Sequence, residues 1–155
     1  VSFDGSQIIH RAHVNLGMAV ALDTGLIVPV IRDADKLSLD ALAACAKDLA
    51  ARAKDGGLTP DDYKGSTFTV SNLGMFGIGN FTAIINAPES AILSVSSVRK
   101  TPVVVTGENG EDAIAIRPMM NIQLSVDHRV IDGLLASQFV EYMKQLLEHP
   151  IQILM

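Results

Sequence analysis

The chain has 155 residues, 48% of them apolar, with 12 basic against 17 acidic side chains and a net charge of −5. That length and composition predict one domain with a real core rather than a disordered tail. The acid excess excludes nucleic-acid binding through an overall basic face, and no uncharged apolar run is long enough to cross a membrane as a helix.

The first residues, VSFDGSQIIHRAHVN, begin without Met, a helix signal or a charged leader with an apolar core. A piece of a longer chain is therefore expected, and a secretory route is not. Residues 14–22 alternate large apolar side chains (Val14, Leu16, Met18, Val20, Leu22) with small or polar ones, the period of a strand. Asp23-Thr24-Gly25 reads as a tight turn into a second strand, LIVPVI, and Pro29 places that strand at an edge or at its own end. Ser38 is the expected cap of a helix whose stripe is Leu39, Leu42, Ala46, Leu49 and Ala53, stopped by Gly56-Gly57. The single cysteine, Cys45, lies in that helix as a small half-buried apolar residue. It has no internal disulfide partner, which suits a reducing compartment.

Thr59 and Pro60 open a short helical turn, and STFTVSN follows as a β-branched strand. LGMFGIGNF packs three glycines into seven residues, so it is expected to be a loop with unusual backbone demands. AILSVSSV is the next strand. TPVVVTGENGEDAIAIRP reads as a hairpin around an acidic turn with Asn109-Gly110 inside it. MMNIQLSVD is a strand with Met120, Ile122, Leu124 and Val126 on one face. Asp132 caps a final helix with the stripe Leu135, Phe139, Tyr142, Met143 and Leu146, ended by Pro150. Strands through the middle with one early and one late helix predict an α+β or mixed α/β fold.

The chemistry candidates converge on SVDHRVIDG. His128 falls where a strand hands over to a helix, and imidazole can take and return a proton near neutrality. Its plain alternative is a structural histidine. His10, His13 and His149 read as surface residues, the last suited to the C-terminal end of a helix. No His or Cys spacing calls for a metal site. Ser71, at a strand end beside the Gly-rich loop, completes a Ser/His/Asp set with His128 and Asp132, but no G-x-S-x-G elbow supports a hydrolase. The segment GMFGIGNF is neither a dinucleotide fingerprint nor a P-loop.

Three stretches, DTGLIVPVIRDAD (23–35), TFTVSNLGMFGIGNFTAIINAPESAILSV (67–95) and DHRVIDG (127–133), resemble the catalytic domain of the dihydrolipoamide acyltransferases, the cores of 2-oxo acid dehydrogenase complexes. The resemblance implies a chloramphenicol acetyltransferase-like mixed sheet flanked by helices. It covers residues 1–155 as one catalytic domain incomplete at its N-terminus, with about 70–90 family residues ahead of Val1. It implies transfer of an acyl group between dihydrolipoamide and coenzyme A, with coenzyme A as substrate, the lipoyl group on a separate domain and no metal. It also implies a catalytic set of His128 as base, Ser71 as donor to the oxyanion and Asp132 as a holder of local geometry. His128 and Ser71 are then expected to meet from different chains of a homotrimer.

The loop SNLGMFGI is most similar to the pyruvate-type members, which implies an acetyl group. The implied partners are a cubic or icosahedral shell of trimers and the 2-oxo acid decarboxylase and dihydrolipoamide dehydrogenase components, in the cytoplasm of a bacterium or the mitochondrial matrix of a eukaryote. Family relatives without the histidine make a non-catalytic core scaffold the competing expectation. The apolar tail PIQILM is expected to join trimers.

Overall fold

In the computed structural model, which describes residues 1–153, the chain is organised around one five-stranded mixed sheet. A small antiparallel pair, β1 (Ser2–Phe3) and β2 (Ile8–Ile9), precedes it. The alternating run expected as one strand is two: β3 (Leu16–Met18) belongs to the main sheet, whereas β4 (Val20–Leu22) pairs with β5 (Gly25–Ile27) in a separate hairpin. The break falls at Ala19, whose N–H leaves the local ladder for Val70 O at 3.0 Å. The Asp23–Gly25 turn closes that hairpin as expected. LIVPVI is likewise divided, with Pro29 between β5 and β6 (Val30–Ile31), and β6 forms one edge of the main sheet. The missing amide of Pro29 removes a donor where the two short strands meet, while its carbonyl still accepts Met18 N–H at 2.9 Å.

Helix α1 (Leu39–Lys54) begins at Ser38, whose hydroxyl accepts the Ala41 amide at 3.3 Å, and runs out at Gly56 with φ +70°. Of its expected stripe, Leu49 and Ala53 are buried, but Leu39 in the first turn remains exposed. A 3-10 turn at Pro60–Tyr63 is closed by the Asp62 carboxylate, which accepts the Thr59 N–H at 2.7 Å and ties Arg52 of α1 at 2.5 Å.

Strands β7 (Phe68–Asn72) and β8 (Ala91–Val95) form the middle of the sheet, parallel to each other and to β3. Residues 91–94 of β8 are all buried, the continuous burial of a central strand covered on both faces. Thr69 and Ser94 are fully enclosed. Gly17 lets β3 approach β7 this closely: a Cβ there would lie 2.6 Å from Thr69 Oγ1 and 2.9 Å from Val28 Cγ1.

The predicted hairpin is present as β9 (Arg99–Thr106) and β10 (Asp112–Met119), a two-stranded ribbon outside the main sheet with Gly110 at φ +79° in its turn. Strand β11 (Ile122–Val126) pairs antiparallel to β8 and completes the order β11-β8-β7-β3-β6. Met120 lies outside it, because the ribbon runs to Met119 and the chain turns there.

Helix α2 (Gly133–Glu148) forms where its periodicity predicts, but its stripe is not a buried face. Leu135, Phe139 and Tyr142 are 53%, 41% and 62% exposed, and no residue of α2 is buried. The helix meets the sheet through β11 and through Phe139 on Phe68, with ring centroids 6.0 Å apart. Between them remains an apolar cavity of about 230 Å³ lined by Phe68, Ala91, Leu124, Leu135 and Phe139. The amphipathic pattern thus marks a surface that this stretch of chain does not itself cover. A 3-10 turn at Pro150–Ile153 ends α2, and Leu154 and Met155 of the expected apolar tail lie outside the described residues.

Candidate active site

His128 stands exposed in the turn that leaves β11. The turn is fixed at its first residue. Asp127 donates its N–H to Ser90 O at the start of β8 (2.8 Å), and its own carbonyl accepts from Val130 and Ile131 at 2.9 and 3.0 Å. The Asp127 carboxylate accepts from Arg129 three ways: from the backbone N–H at 3.0 Å, from Nε at 3.0 Å and from Nη2 at 2.7 Å. These hydrogen bonds, led by the Arg129 side chain, pull the Asp127 pKa down to about 2. The Arg129 guanidinium in turn lies 4.8 Å from the centre of the Phe3 ring. The two residues flanking His128 therefore form a clamp that presents the imidazole outward. The D-x-R spacing around the histidine was the available signal for this pair, and sequence reading assigned it no role.

Asp132 caps α2, its Oδ1 accepting Leu135 N–H at 2.8 Å. That anchors the helix one turn beyond His128, as the sequence predicts, and ties one carboxylate oxygen to the helix N-terminus.

Ser71 is half-buried in β7, opposite Ser94 of β8. The Gly-rich segment follows at once. Asn72 Oδ1 accepts Gly74 N–H at 2.8 Å, and a 3-10 turn runs over Gly74–Phe76. A Cβ on Gly74 would sit 3.0 Å from Ser96 O, so glycine lets this turn lie close against the end of β8. The turn leaves Met75 and Phe76 exposed beside Ser71.

The structure does not bring Ser71 and His128 together within one chain. Ser71 is level with Ser94 and, across β8, with Gln123, whereas His128 lies past the far end of β11. Three strand residues from Gln123 to Val126 and two strand spacings across the sheet put Ser71 roughly 14 Å from Val126, the last residue of β11 before the His128 turn. The Ser/His/Asp hydrolase set that could be drawn on the sequence is thereby overturned as an arrangement within one protomer.

Two further features border the His128 end of the sheet. Glu89, 5% exposed, accepts hydrogen bonds from Ser66, Thr69 and Asn86 just before β8. Sequence reading passed over it, since a lone acid in NAPESAIL carries no pattern that predicts burial. A polar cavity of about 600 Å³ is lined by His10, Arg11, His13, Lys64, Ser66 and Asn86. His13 bonds Asp33 at 2.6 Å, and Arg11 and Lys64 bring the kind of cation that receives a phosphate. Among the described residues, no three His, Cys, Asp or Glu side chains converge as a metal's ligands.

Comparison with known proteins agrees with this architecture. Residues 1–155 match the family described as 2-oxoacid dehydrogenases acyltransferase (catalytic domain). The chain is 43% identical over 154 residues to the dihydrolipoyllysine-residue acetyltransferase component of the pyruvate dehydrogenase complex of Zymomonas mobilis, covering 99% of this chain and 34% of that protein. It is 46% identical over 144 residues to the lipoamide acyltransferase component of the branched-chain alpha-keto acid dehydrogenase complex of Bacillus subtilis, covering 93% and 33%. Two solved structures superpose with a TM-score of 0.88 at 42% identity, covering 97% of this chain and 60% of theirs. One is Azotobacter vinelandii dihydrolipoamide acetyltransferase, studied for the catalytic role of a serine, a histidine and an asparagine. The other is the cubic core of the pyruvate dehydrogenase multienzyme complex.

The mixed sheet with its two helices is thus the chloramphenicol acetyltransferase-like fold of these catalytic cores. The chain belongs to the 2-oxoacid dehydrogenase acyltransferase family, in its catalytic domain. It spans about a third of the length of the curated relatives it matches.

Proposed function

We propose that this chain is part of an acyltransferase catalytic domain that moves an acyl group between dihydrolipoamide and coenzyme A, working as a trimer with each site built from two subunits. The observation that carries the reading is the placement of Ser71 and His128 at opposite ends of β8. Both are accessible, yet too far apart to serve one carbonyl from a single protomer. Support comes from the Azotobacter relative, where the asparagine follows its histidine by four positions, as Asp132 follows His128 here.

A thiol is a weak nucleophile until it loses its proton. The His128 imidazole accepts the proton of the coenzyme A thiol, and the thiolate attacks the carbonyl of acyl-dihydrolipoamide. The neighbouring subunit's Ser71 hydroxyl donates a hydrogen bond to the oxygen on which negative charge develops. Collapse of the tetrahedral species breaks the bond to the lipoyl sulfur. The departing thiolate takes the proton back from the imidazolium, so the products are acyl-coenzyme A and dihydrolipoamide. The Asp127–Arg129 clamp and the Asp132 cap hold the imidazole's backbone on both sides.

The acyl group in this reading is acetyl, favoured by the loop SNLGMFGI. The similarity to pyruvate-type and branched-chain relatives alike leaves that choice to the loop. The lipoyl group arrives on a separate domain, acylated by the decarboxylase component and, after transfer, reoxidised by the dihydrolipoamide dehydrogenase component. The exposed stripe of α2 and the ribbon with Val104 and Ile114, 68% and 80% exposed, are surfaces suited to burial in such an assembly.

The test is acetyl transfer from acetyl-coenzyme A to dihydrolipoamide by the full-length protein. Activity abolished by His128→Ala, with assembly intact, supports the enzyme. A wild-type protein that assembles and transfers nothing supports the scaffold instead.

A further inference from the structure

The N-terminal end of β8 holds a buried acid that the transfer chemistry does not use. Glu89 Oε1 gathers donors from three segments: the Ser66 hydroxyl ahead of β7, Thr69 Oγ1 within β7 at 2.8 Å, and Asn86 Nδ2 in the preceding loop at 3.0 Å. Thr69 is fully enclosed, and Glu89 Oε2 has no hydrogen-bond partner among the described residues. A carboxylate taken out of water is costly, and an apolar residue of similar volume commonly packs such a place as well or better. Its presence therefore calls for a function other than filling space.

The residue that follows supplies one. Ser90 carries the carbonyl that receives Asp127 N–H, so it is the point where the His128 turn is pinned to the sheet. Glu89 fixes the backbone immediately before that carbonyl to β7 and to the Asn86 loop. We propose that Glu89 is a positioning residue for His128, acting through Ser90 and Asp127. This rests on the acyl-transfer reading of His128. Misplacing a reacting group by about 1 Å costs up to ~10²-fold in rate while leaving the binding groups in place. The acceptor Oε1 does the tethering and Oε2 does none, so a glutamine can keep the contact through its amide oxygen.

The experiment compares Glu89→Ala, Glu89→Gln and His128→Ala in the full-length assembled protein, measuring kcat and KM for both substrates together with the thermal midpoint. Glu89→Ala is expected to lower kcat by about 10–100-fold with KM within about twofold, and Glu89→Gln to restore kcat to within about threefold of wild type. A lowered midpoint with unchanged kcat per assembled trimer would make Glu89 structural only and overturn the proposal. Glutamine as impaired as alanine would overturn it too, by showing that the charge and not the acceptor oxygen matters. Should Glu89→Ala fail to assemble, Thr69→Val and Ser66→Ala each remove one donor, and unchanged kcat in their combination would overturn the proposal equally. An active His128→Ala would instead overturn the acyl-transfer reading itself, and the two failures are told apart.

Discussion

Ser71 and His128 lie toward opposite ends of strand β8: Ser71 pairs with Ser94 near its end, and the turn carrying His128 is hydrogen-bonded to Ser90 just before its start. The two-subunit site proposed for acyl transfer rests on that relationship, and it has a direct consequence. Ser71→Ala and His128→Ala chains, each expected to be strongly impaired alone, are expected to regain activity when unfolded and reassembled together. In a randomly mixed trimer about a quarter of the interfaces pair an intact serine with an intact histidine, so about a quarter of the wild-type rate is expected. Absence of any recovery in well-formed mixed trimers would place both residues of each site on one chain.

His128→Ala in the full-length protein is expected to lower acetyl transfer by about 10²–10⁴-fold, the usual worth of a positioned general base. More than half the wild-type rate in a folded variant would end its assignment as base.

Ser71→Ala is expected to lower kcat by about 10²–10³-fold with little change in KM, as for loss of an oxyanion donor. Steady-state kinetics in both substrates separates this from a binding role, which would raise KM and spare kcat.

Acid stability should report the Asp127 clamp. Arg129 holds the Asp127 pKa at about 2 against an ordinary 3.8. A carboxyl group whose pKa is lower folded than unfolded stabilises the fold above the unfolded value and loses that contribution as pH falls through the folded one. The stability difference between wild type and Asp127→Asn is therefore expected to be full above about pH 5 and to fade between pH 4 and 2. Urea denaturation across that range measures it, and a difference independent of pH would detach the clamp from the fold.

Asp132→Ala removes the hydrogen bond to Leu135 N–H and is expected to cost about 1 kcal/mol of stability, whereas Asp132→Asn, an equally good cap, should cost little. Equal losses in the two variants would show that the charge of Asp132, not its cap, is what the helix needs.

Deleting residues 151–155 is expected to reduce large assemblies to active trimers, as read by light scattering. Ile151 and Ile153 are 72% and 52% exposed, and burying each against a neighbour is worth about 1.5–3 kcal/mol. An unchanged particle mass would return the tail to its own subunit.

Local rules carried the sequence reading wherever a residue's partner lies close along the chain. Ser38, Asp132, the Asp23–Gly25 turn and the β9–β10 hairpin are set by contacts a few residues apart, so propensity and spacing sufficed to find them. The motif around His128 marked a candidate site for the same reason, as an unbroken run of residues.

What the sequence could not contain is which distant groups meet. Ala19 leaves its alternating run for Val70, Glu89 is buried under Ser66, Thr69 and Asn86, and Ser71 stands at the end of the sheet away from His128. Each outcome depends on the order and register of strands far apart in the chain, which only the closing of the sheet decides. The stripe of α2 shows the same limit from the other side: periodicity fixed which face is apolar, but burial depends on what packs against it, and these residues leave that face open.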